Sequence, residues 1–137
     1  MKPEGFPRRL RLRRRADFLR VQRRGDKHHT RHFLVFVAPS VVPGHVASPD
    51  EQLPPTRLGV TVTRKVGKAV QRNRIKRLVR EAFRRERPRF APGLDLVWVA
   101  KRDALRVSYL GVVTDMRTLA DRLRPRPNAE PLRQEGP

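Results

Sequence analysis

The chain has no cysteine and no long apolar run. The missing cysteine excludes disulfide bonds, thiolate nucleophiles and cysteine-ligated zinc, and it is compatible with a reducing compartment, so we expect a cytoplasmic protein. The most apolar segment, residues 94–100, has the length of a β-strand, whereas a membrane-spanning helix needs roughly 20 residues. The basic N-terminus is not followed by the apolar segment of a signal peptide. We therefore expect a soluble protein.

Acidic residues are also scarce, with 13 Asp and Glu against 33 Lys and Arg. They are scattered, so no pair of carboxylates shares a predicted face beside a nucleophile, as a two-metal nuclease would require. Asp115 and Asp121 lie among Arg117 and Arg122 on a predicted helix, where we expect surface ion pairs. The histidines of residues 28–32 have no carboxylate or thiolate beside them in the sequence. The sequence therefore predicts no metal site and no catalytic residues in the protein.

Positive charge is in excess, with a formal net charge of +20 and a pI near 11.9. Such a charge is typical of proteins that bind nucleic acid. Most of the cations are arginines, whose planar guanidinium suits phosphate oxygens and stacks on bases. Aromatic residues make up only 6% of the chain, which argues against a long base-stacking platform. The charge by itself does not distinguish DNA from RNA.

The segment 64–85 predicts an amphipathic helix around which the chain is organised. One side is apolar and should pack on a core, because its residues recur at helical spacing: Ile75, Leu78, Val79, Ala82 and Phe83. Another side is cationic, with charges four residues apart and Asn73 and Arg77 beside them: Arg72, Lys76, Arg80 and Arg84. Like charges at this spacing repel one another, so an anionic partner would stabilise the helix. Arg64, Lys65 and Lys68 extend the basic surface into the turn before it.

The remaining elements follow from hydrophobic periodicity and turn residues. In order, the predicted elements are a helix at 16–25, strands at 32–38 and 57–63, the basic helix ending near residue 87, a strand at 94–100 and a helix at 109–124. The first helix should end at Gly25 in a left-handed conformation, and Ser108 should cap the last helix. The order αββαβα predicts an α+β fold, a single sheet with helices packed on it. Whether the last strand runs parallel to its neighbours is left open.

The composition divides the chain into one domain and flexible ends. Residues 1–15 form a basic arm, with Leu10 and Leu12 as its anchor to the domain, which spans residues 16–124. Residues 39–56 are rich in proline and predict a long exposed loop inside it. Residues 125–137 have the composition of a disordered tail. Phe36 and Thr61, on predicted strands, could meet unpaired bases, and core packing is the alternative role for Phe18 and Phe36.

The ordered pattern from about Leu10 to Leu123 resembles the protein component of bacterial ribonuclease P. Its most specific part is the Arg72-Asn73-Arg74 motif at the start of the basic helix, and the Asp17-Phe18 helix and the segment Arg31-His32-Phe33 precede it in the family's order. The resemblance implies a sandwich in which the basic helix joins two parallel strands by a left-handed crossover, against the general rule. It also implies a non-catalytic subunit that binds a catalytic RNA and promotes removal of the 5′ leader from precursor tRNA. The RNA would then perform the hydrolysis with Mg²⁺ that is bound mainly by the RNA.

The resemblance carries over to particular residues. It places the surface for the catalytic RNA on Arg72, Asn73 and Arg74, completed by Lys76, Arg77 and Arg80. It places the cleft for the leader of precursor tRNA on Phe18, Leu34, Phe36 and Thr61. The chain departs from the family at Gln22, where a second aromatic is common, and at Phe36, where tyrosine is frequent. Neither a membrane nor DNA is expected as a partner.

Two other classes of protein share some of these features. A structural RNA-binding protein, such as a ribosomal component, would have the same charge, size and tails. A DNA-binding module would place the cationic side of residues 72–84 in a major groove, but no second helix stands at helix-turn-helix spacing. The ordered motif favours the ribonuclease P family over both.

Overall fold

A computed structural model describes residues 7–40 and 53–124. Residues 1–6 of the predicted arm, residues 41–52 of the proline-rich loop and the whole predicted tail, 125–137, lie outside the described residues. The helices and strands are α1 (Arg15–Arg24), β1 (Asp26–His29), β2 (Phe33–Pro39), β3 (Arg57–Thr61), α2 (Ala69–Glu86), β4 (Leu94–Ala100) and α3 (Tyr109–Leu123). Short 3₁₀ turns occupy Arg8–Leu10, Arg87–Arg89 and Arg102–Arg106. Within the described ranges no helix is long and apolar enough to cross a bilayer.

The α+β class and the order αββαβα are confirmed, with β1 as an additional strand after α1. β1 consists of Asp26, Lys27, His28 and His29, and none of these residue types predicts a strand. It forms because its backbone pairs antiparallel with β2 along the edge of the sheet. Tertiary pairing therefore decides the conformation of this segment, and its own side chains do not.

The four strands form one sheet in the order β1-β2-β4-β3. β4 is antiparallel to β2 and parallel to β3, which answers the question that the sequence left open. α2 lies in the connection between the parallel strands β3 and β4. The left-handedness of this crossover stays a prediction from the family resemblance.

The main core lies between the sheet and the pair α2 and α3. Leu58, Leu96 and Trp98 point to this side from β3 and β4, and the ring of Trp98 meets Phe33 edge to face with centroids 5.3 Å apart. Burying an aromatic or aliphatic side chain of this size contributes about 1.5–3 kcal/mol. The sheet and the two helices therefore form two layers that are packed rigidly against each other.

The apolar side of α2 faces this core, as predicted. Ile75, Val79, Ala82 and Phe83 are fully buried, and Leu78 packs against them from a half-buried position. The opposite side of the helix is consequently held in a fixed orientation toward solvent. Ser108 caps α3 as expected, since its Oγ accepts a hydrogen bond from the backbone N–H of Gly111 at 3.0 Å.

The prediction of a left-handed Gly25 is wrong. Its φ is −78° and its ψ is 159°, an extended conformation open to any residue. A Cβ at this position would lie 2.5 Å from the carbonyl oxygen of Val21 and 2.9 Å from that of Val37. Gly25 is therefore required because α1 passes very close to β2, and the handedness of the backbone plays no part.

Surface ion pairs were predicted for Asp115 and Asp121, and the prediction is wrong for Asp115. Asp121 does form one, with Arg124 at 3.7 Å. Asp115 is only 4% exposed. Its Oδ2 accepts hydrogen bonds from the backbone N–H of His32 at 3.0 Å and from the His32 ring Nδ1 at 2.9 Å. A buried carboxylate needs such donors, so Asp115 fixes α3 to the start of β2.

Candidate nucleic-acid interface

The face of the sheet that carries α1 contains three of the four residues predicted for the leader cleft. Leu34 of β2, Val99 of β4 and Thr61 of β3 are neighbours in one row across the strands. Phe36 lies in the next row beside Val97. Side chains two residues apart along a strand share a face, so these residues form one continuous surface.

The fourth predicted cleft residue, Phe18, reaches this surface from α1. Its ring lies directly over Gly59, where a Cβ would be only 2.6 Å from the ring Cζ. Gly59 therefore supplies the space that lets α1 lie close to the sheet. Phe18, Leu34, Phe36 and Thr61 are all half-buried, in contrast to the fully buried residues of the main core. Together these four residues form a mainly apolar surface that a ligand can reach.

Cations border this cleft on two sides. On β1, the Nζ of Lys27 lies 5.9 Å from the centroid of the Phe36 ring, within the range of a cation–π contact. On the other side, a cavity of about 250 Å³ next to Phe18 is lined by Arg11, Arg13 and Arg80. Burial and the nearby charge of Arg11 lower the pKa of Arg80. An anion in this cavity would favour the charged form of Arg80 and so offset both effects.

Lys27 belongs to the site and could not be found from the sequence. Its register with Phe36 depends on the pairing of β1 with β2. A polar segment such as residues 26–29 carries no signal for that pairing. Only the fold shows that this lysine stands beside the cleft.

The predicted cationic side of α2 is divided by the structure into two groups. Asn73 and Arg77 are exposed, and Lys76 and Arg80 are half-buried on the outer side of the helix. These residues present their polar groups away from the main core. They form the part of α2 best placed to meet an anionic partner.

The other predicted cations of α2 also hold the protein's own structure. Arg72 Nη1 donates to the carbonyl of Gly67 at 3.0 Å, and Arg74 Nη2 donates to the carbonyl of Val107 at 2.7 Å. Arg84 forms two hydrogen bonds with Glu81, at 3.2 and 2.7 Å. Hydrogen bonds from Arg84, and from Arg85 after it, lower the pKa of the Glu81 carboxyl. These arginines therefore have a structural contribution besides any contact with RNA.

The turn before α2 adds further positive charge. Arg64, Lys65 and Lys68 are exposed there. The backbone N–H of Lys68 donates to Gln71 Oε1 at 2.8 Å, and the first turn of the helix has no acidic residue. The positive end of the helix dipole therefore lies beside exposed cations, an arrangement that favours phosphate.

One buried ionic cluster positions α1 over the sheet. Asp95 of β4 is completely buried and accepts two hydrogen bonds from Arg57 of β3, at 2.9 and 2.8 Å. It also accepts from Ser40 at 2.8 Å and from Arg20 of α1. Arg20 is the polar link between α1 and the sheet, and this link fixes the helix that carries Phe18. In the sequence, this ionic cluster was indicated by a single feature, the lone aspartate Asp95 in an otherwise apolar strand.

The groups of this surface suit the binding of an anionic partner. The surface offers guanidinium and ammonium groups, a helix N-terminus and half-buried apolar side chains. Among the residues that the structure describes, no group of three or more His, Asp or Glu side chains is placed to hold a metal ion.

Comparison with known proteins agrees with this geometry. The model of the Ribonuclease P family matches residues 6–124. The ribonuclease P protein component of Desulfovibrio desulfuricans is 44% identical over 120 residues, which cover 86% of this chain and 85% of that protein. The solved RNase P protein from Thermotoga maritima is 31% identical, with a TM-score of 0.68 over 84% of this chain and 98% of that one. That from Staphylococcus aureus is 26% identical, with a TM-score of 0.66 over 82% and 93%. The chain therefore belongs to the ribonuclease P protein family.

Proposed function

We propose that the protein is the non-catalytic subunit of ribonuclease P. It binds the catalytic RNA through the outer side of α2 and the turn before it. It binds the 5′ leader of precursor tRNA in the cleft between α1 and the sheet. By holding both molecules it promotes endonucleolytic removal of the leader, while the RNA and its Mg²⁺ perform the hydrolysis.

The position of Arg80 is the observation that carries this proposal. Arg80 belongs to the cationic side of α2 and also lines the cavity next to Phe18. The two surfaces therefore meet at one residue on a rigid scaffold. A protein built in this way can hold a folded RNA and an adjacent single strand in a fixed relation, which lowers the entropic cost of bringing them together.

The chemistry of the cleft supports an unpaired strand as its ligand. Bases in a duplex are stacked and cannot reach a half-buried apolar surface, whereas a single strand can place a base on an aromatic ring. Phe18 and Phe36 offer such rings, and Lys27 and Arg80 stand beside them for the phosphates. In the part of the chain that the structure describes, these two aromatics line the cleft, which suits a few nucleotides and little sequence discrimination.

Reconstitution with the cognate ribonuclease P RNA at low magnesium tests the proposal. The protein is expected to raise the rate of precursor-tRNA cleavage at least about tenfold, corresponding to roughly 1.4 kcal/mol of the barrier. Cleavage without any gain over the RNA alone would contradict it. Co-sedimentation with ribosomal particles and indifference to the leader would favour a structural RNA-binding role, and a preference for duplex DNA would favour a DNA-binding module.

Replacing Phe36 by alanine should weaken binding of leader-bearing precursor tRNA by roughly fivefold to a hundredfold. Removal of one stacked base–aromatic contact costs about 1–3 kcal/mol. Binding of mature tRNA, which has no leader, should be unchanged. Both affinities are measured by filter binding to the reconstituted complex.

Leu110→Ala is the matched control for this variant. Leu110 is apolar and 71% exposed, and it lies on α3, on the opposite side of the sheet from the cleft. Its removal should change neither affinity. An equal loss for precursor and mature tRNA in Phe36→Ala would assign Phe36 to the core and remove it from the leader site.

A further inference from the structure

A second cavity lies on the side of the sheet opposite to the cleft. It has a volume of about 380 Å³ and lies between α3 and the turn that joins β1 to β2. Its polar lining comes mainly from Arg31, His32, Thr114, Asp115, Thr118 and Arg122. None of these residues belongs to the cleft or to α2. The volume is within the range of small-ligand sites and is sufficient for one nucleotide.

The pair His32 and Asp115 fixes one wall of this cavity. The ionised carboxylate of Asp115 can only accept, so the ring Nδ1 of His32, at 2.9 Å, must carry its hydrogen. The backbone N–H of His32 donates to the same oxygen at 3.0 Å, which holds the ring in place. The remaining ring nitrogen, Nε2, is therefore an acceptor in the neutral imidazole.

Two threonines on α3 are also acceptors, because their hydroxyl groups already donate their hydrogens within the helix. Thr114 Oγ1 donates its hydrogen to the carbonyl of Leu110, and Thr118 Oγ1 donates to the carbonyl of Thr114, each at 3.0 Å. The hydroxyl hydrogens are used within the helix, so both oxygens can only accept a further hydrogen bond. A ligand for this wall must supply donors.

The mouth of the cavity is cationic. Arg122 donates one hydrogen bond from Nη1 to the carbonyl of His29 at 2.6 Å and has four further N–H groups. Arg31 is exposed at the turn between β1 and β2. The cavity thus combines two guanidinium groups at its mouth with a row of acceptors along α3.

We propose that this cavity binds one nucleotide of an RNA strand. Arg31 and Arg122 would bind its phosphate, and its ribose 2′-hydroxyl would donate to Thr114 or Thr118. A free phosphate satisfies only the cations and meets the acceptors unfavourably. DNA lacks the 2′-hydroxyl, so its sugar cannot donate to these acceptors. The site is independent of the proposed function, since neither the cleft nor the cationic side of α2 contributes to it.

The proposal is tested by NMR on the full-length, ¹⁵N-labelled protein with hexauridylate RNA and the corresponding hexadeoxyuridylate DNA as probes. The amide signals of His32, Thr114 and Thr118 should shift saturably with RNA. The RNA should bind there roughly threefold to tenfold more tightly than the DNA, the effect of about one hydrogen bond. Thr118→Val, combined with Thr114→Val, should remove this preference. The same signals should still respond when the cleft is impaired by Phe36→Ala.

Arg31→Gln and Arg124→Gln form a matched pair. Each removes one positive charge, but Arg124 does not line the cavity. Arg31→Gln should weaken RNA binding at this site about tenfold, and Arg124→Gln should change it by less than about twofold. The proposal would be overturned by an equal loss of RNA affinity in the two variants. It would also be overturned by equal binding of RNA and DNA, or by the absence of a saturable shift in the signals of His32, Thr114 and Thr118. Because the readout is local and needs no catalytic RNA, failure here leaves the test by reconstitution unaffected.

Discussion

Alanine at Arg77 or at Arg80 is expected to weaken binding of the ribonuclease P RNA by roughly tenfold to a hundredfold. A hydrogen bond to a charged group contributes about 1.5–3 kcal/mol, and each of these arginines stands on the outer side of α2. The logarithm of the binding constant should also depend less steeply on the logarithm of the salt concentration, by about one unit of slope per lost phosphate contact. The measurement is a titration of the labelled RNA at several salt concentrations.

Arg85→Ala is the charge-matched control for these two variants. Arg85 lies on the same helix, is 62% exposed and forms a salt bridge with Glu81 at 2.9 Å. Its removal lowers the net charge equally, so a general loss of attraction would weaken all three variants to the same extent. A salt slope that does not change in Arg77→Ala and Arg80→Ala would mean that neither arginine contacts phosphate.

Asp95→Asn is expected to lower the free energy of unfolding by about 3 kcal/mol at pH 7. Breaking a buried ion pair by removing one partner costs about 3–5 kcal/mol, and Arg57 and Arg20 are 28% and 22% exposed, so water compensates part of the loss. This is a large share of the roughly 5–15 kcal/mol that stabilise a typical domain. Urea unfolding followed by circular dichroism measures it.

The effect of Asp95 should also depend on pH. Burial raises the pKa of its carboxyl, but the hydrogen bonds from Arg57, Ser40 and Arg20 outweigh burial and hold the pKa below its ordinary value of 3.8. A pKa that is lower in the folded protein than in the unfolded chain stabilises the fold at pH values above the unfolded pKa. That contribution is lost as the pH falls through the folded pKa. The difference in stability between the wild type and Asp95→Asn should therefore narrow below about pH 4.

Asp121→Asn provides the comparison for Asp95→Asn. Asp121 is 67% exposed and its ion pair with Arg124 spans 3.7 Å, so its loss should cost less than about 1 kcal/mol. Equal stability losses in the two variants, or a difference from the wild type that does not vary with pH, would show that Asp95 is not the ionic anchor of α1.

Local patterns in the sequence were sufficient for the elements with strong periodicity. The apolar side of α2 was predicted correctly because its apolar residues repeat at the period of a helix, and β4 because it is a short, nearly continuous apolar run. The residues of β3 alternate at the period of a strand, and in the structure Leu58 and Val60 face the core while Thr61 faces the other side. The assignment of Phe18, Leu34, Phe36 and Thr61 to a leader cleft came from the family resemblance and stays a prediction.

Contacts between residues distant in the chain could not be predicted in this way. Asp115 was expected at the surface, yet it lies buried against His32, 83 residues away. Lys27 belongs to the cleft only through the pairing of β1 with β2. Gly25 was expected to end α1 in a left-handed conformation, although its actual role is to allow the close approach of β2. Each of these outcomes depends on a neighbour that no local pattern identifies.

The sequence by itself determined the charge of the protein, its α+β class and the family motif at Arg72, because composition and periodicity are properties of the chain alone. The tertiary structure decided which cations of α2 face outward and which hold the fold. It also brought Phe18, Phe36 and Arg80 to one cleft, and His32 and Asp115 to one cavity. The physical reason is that strand order and register set distances between residues that the chain itself keeps far apart.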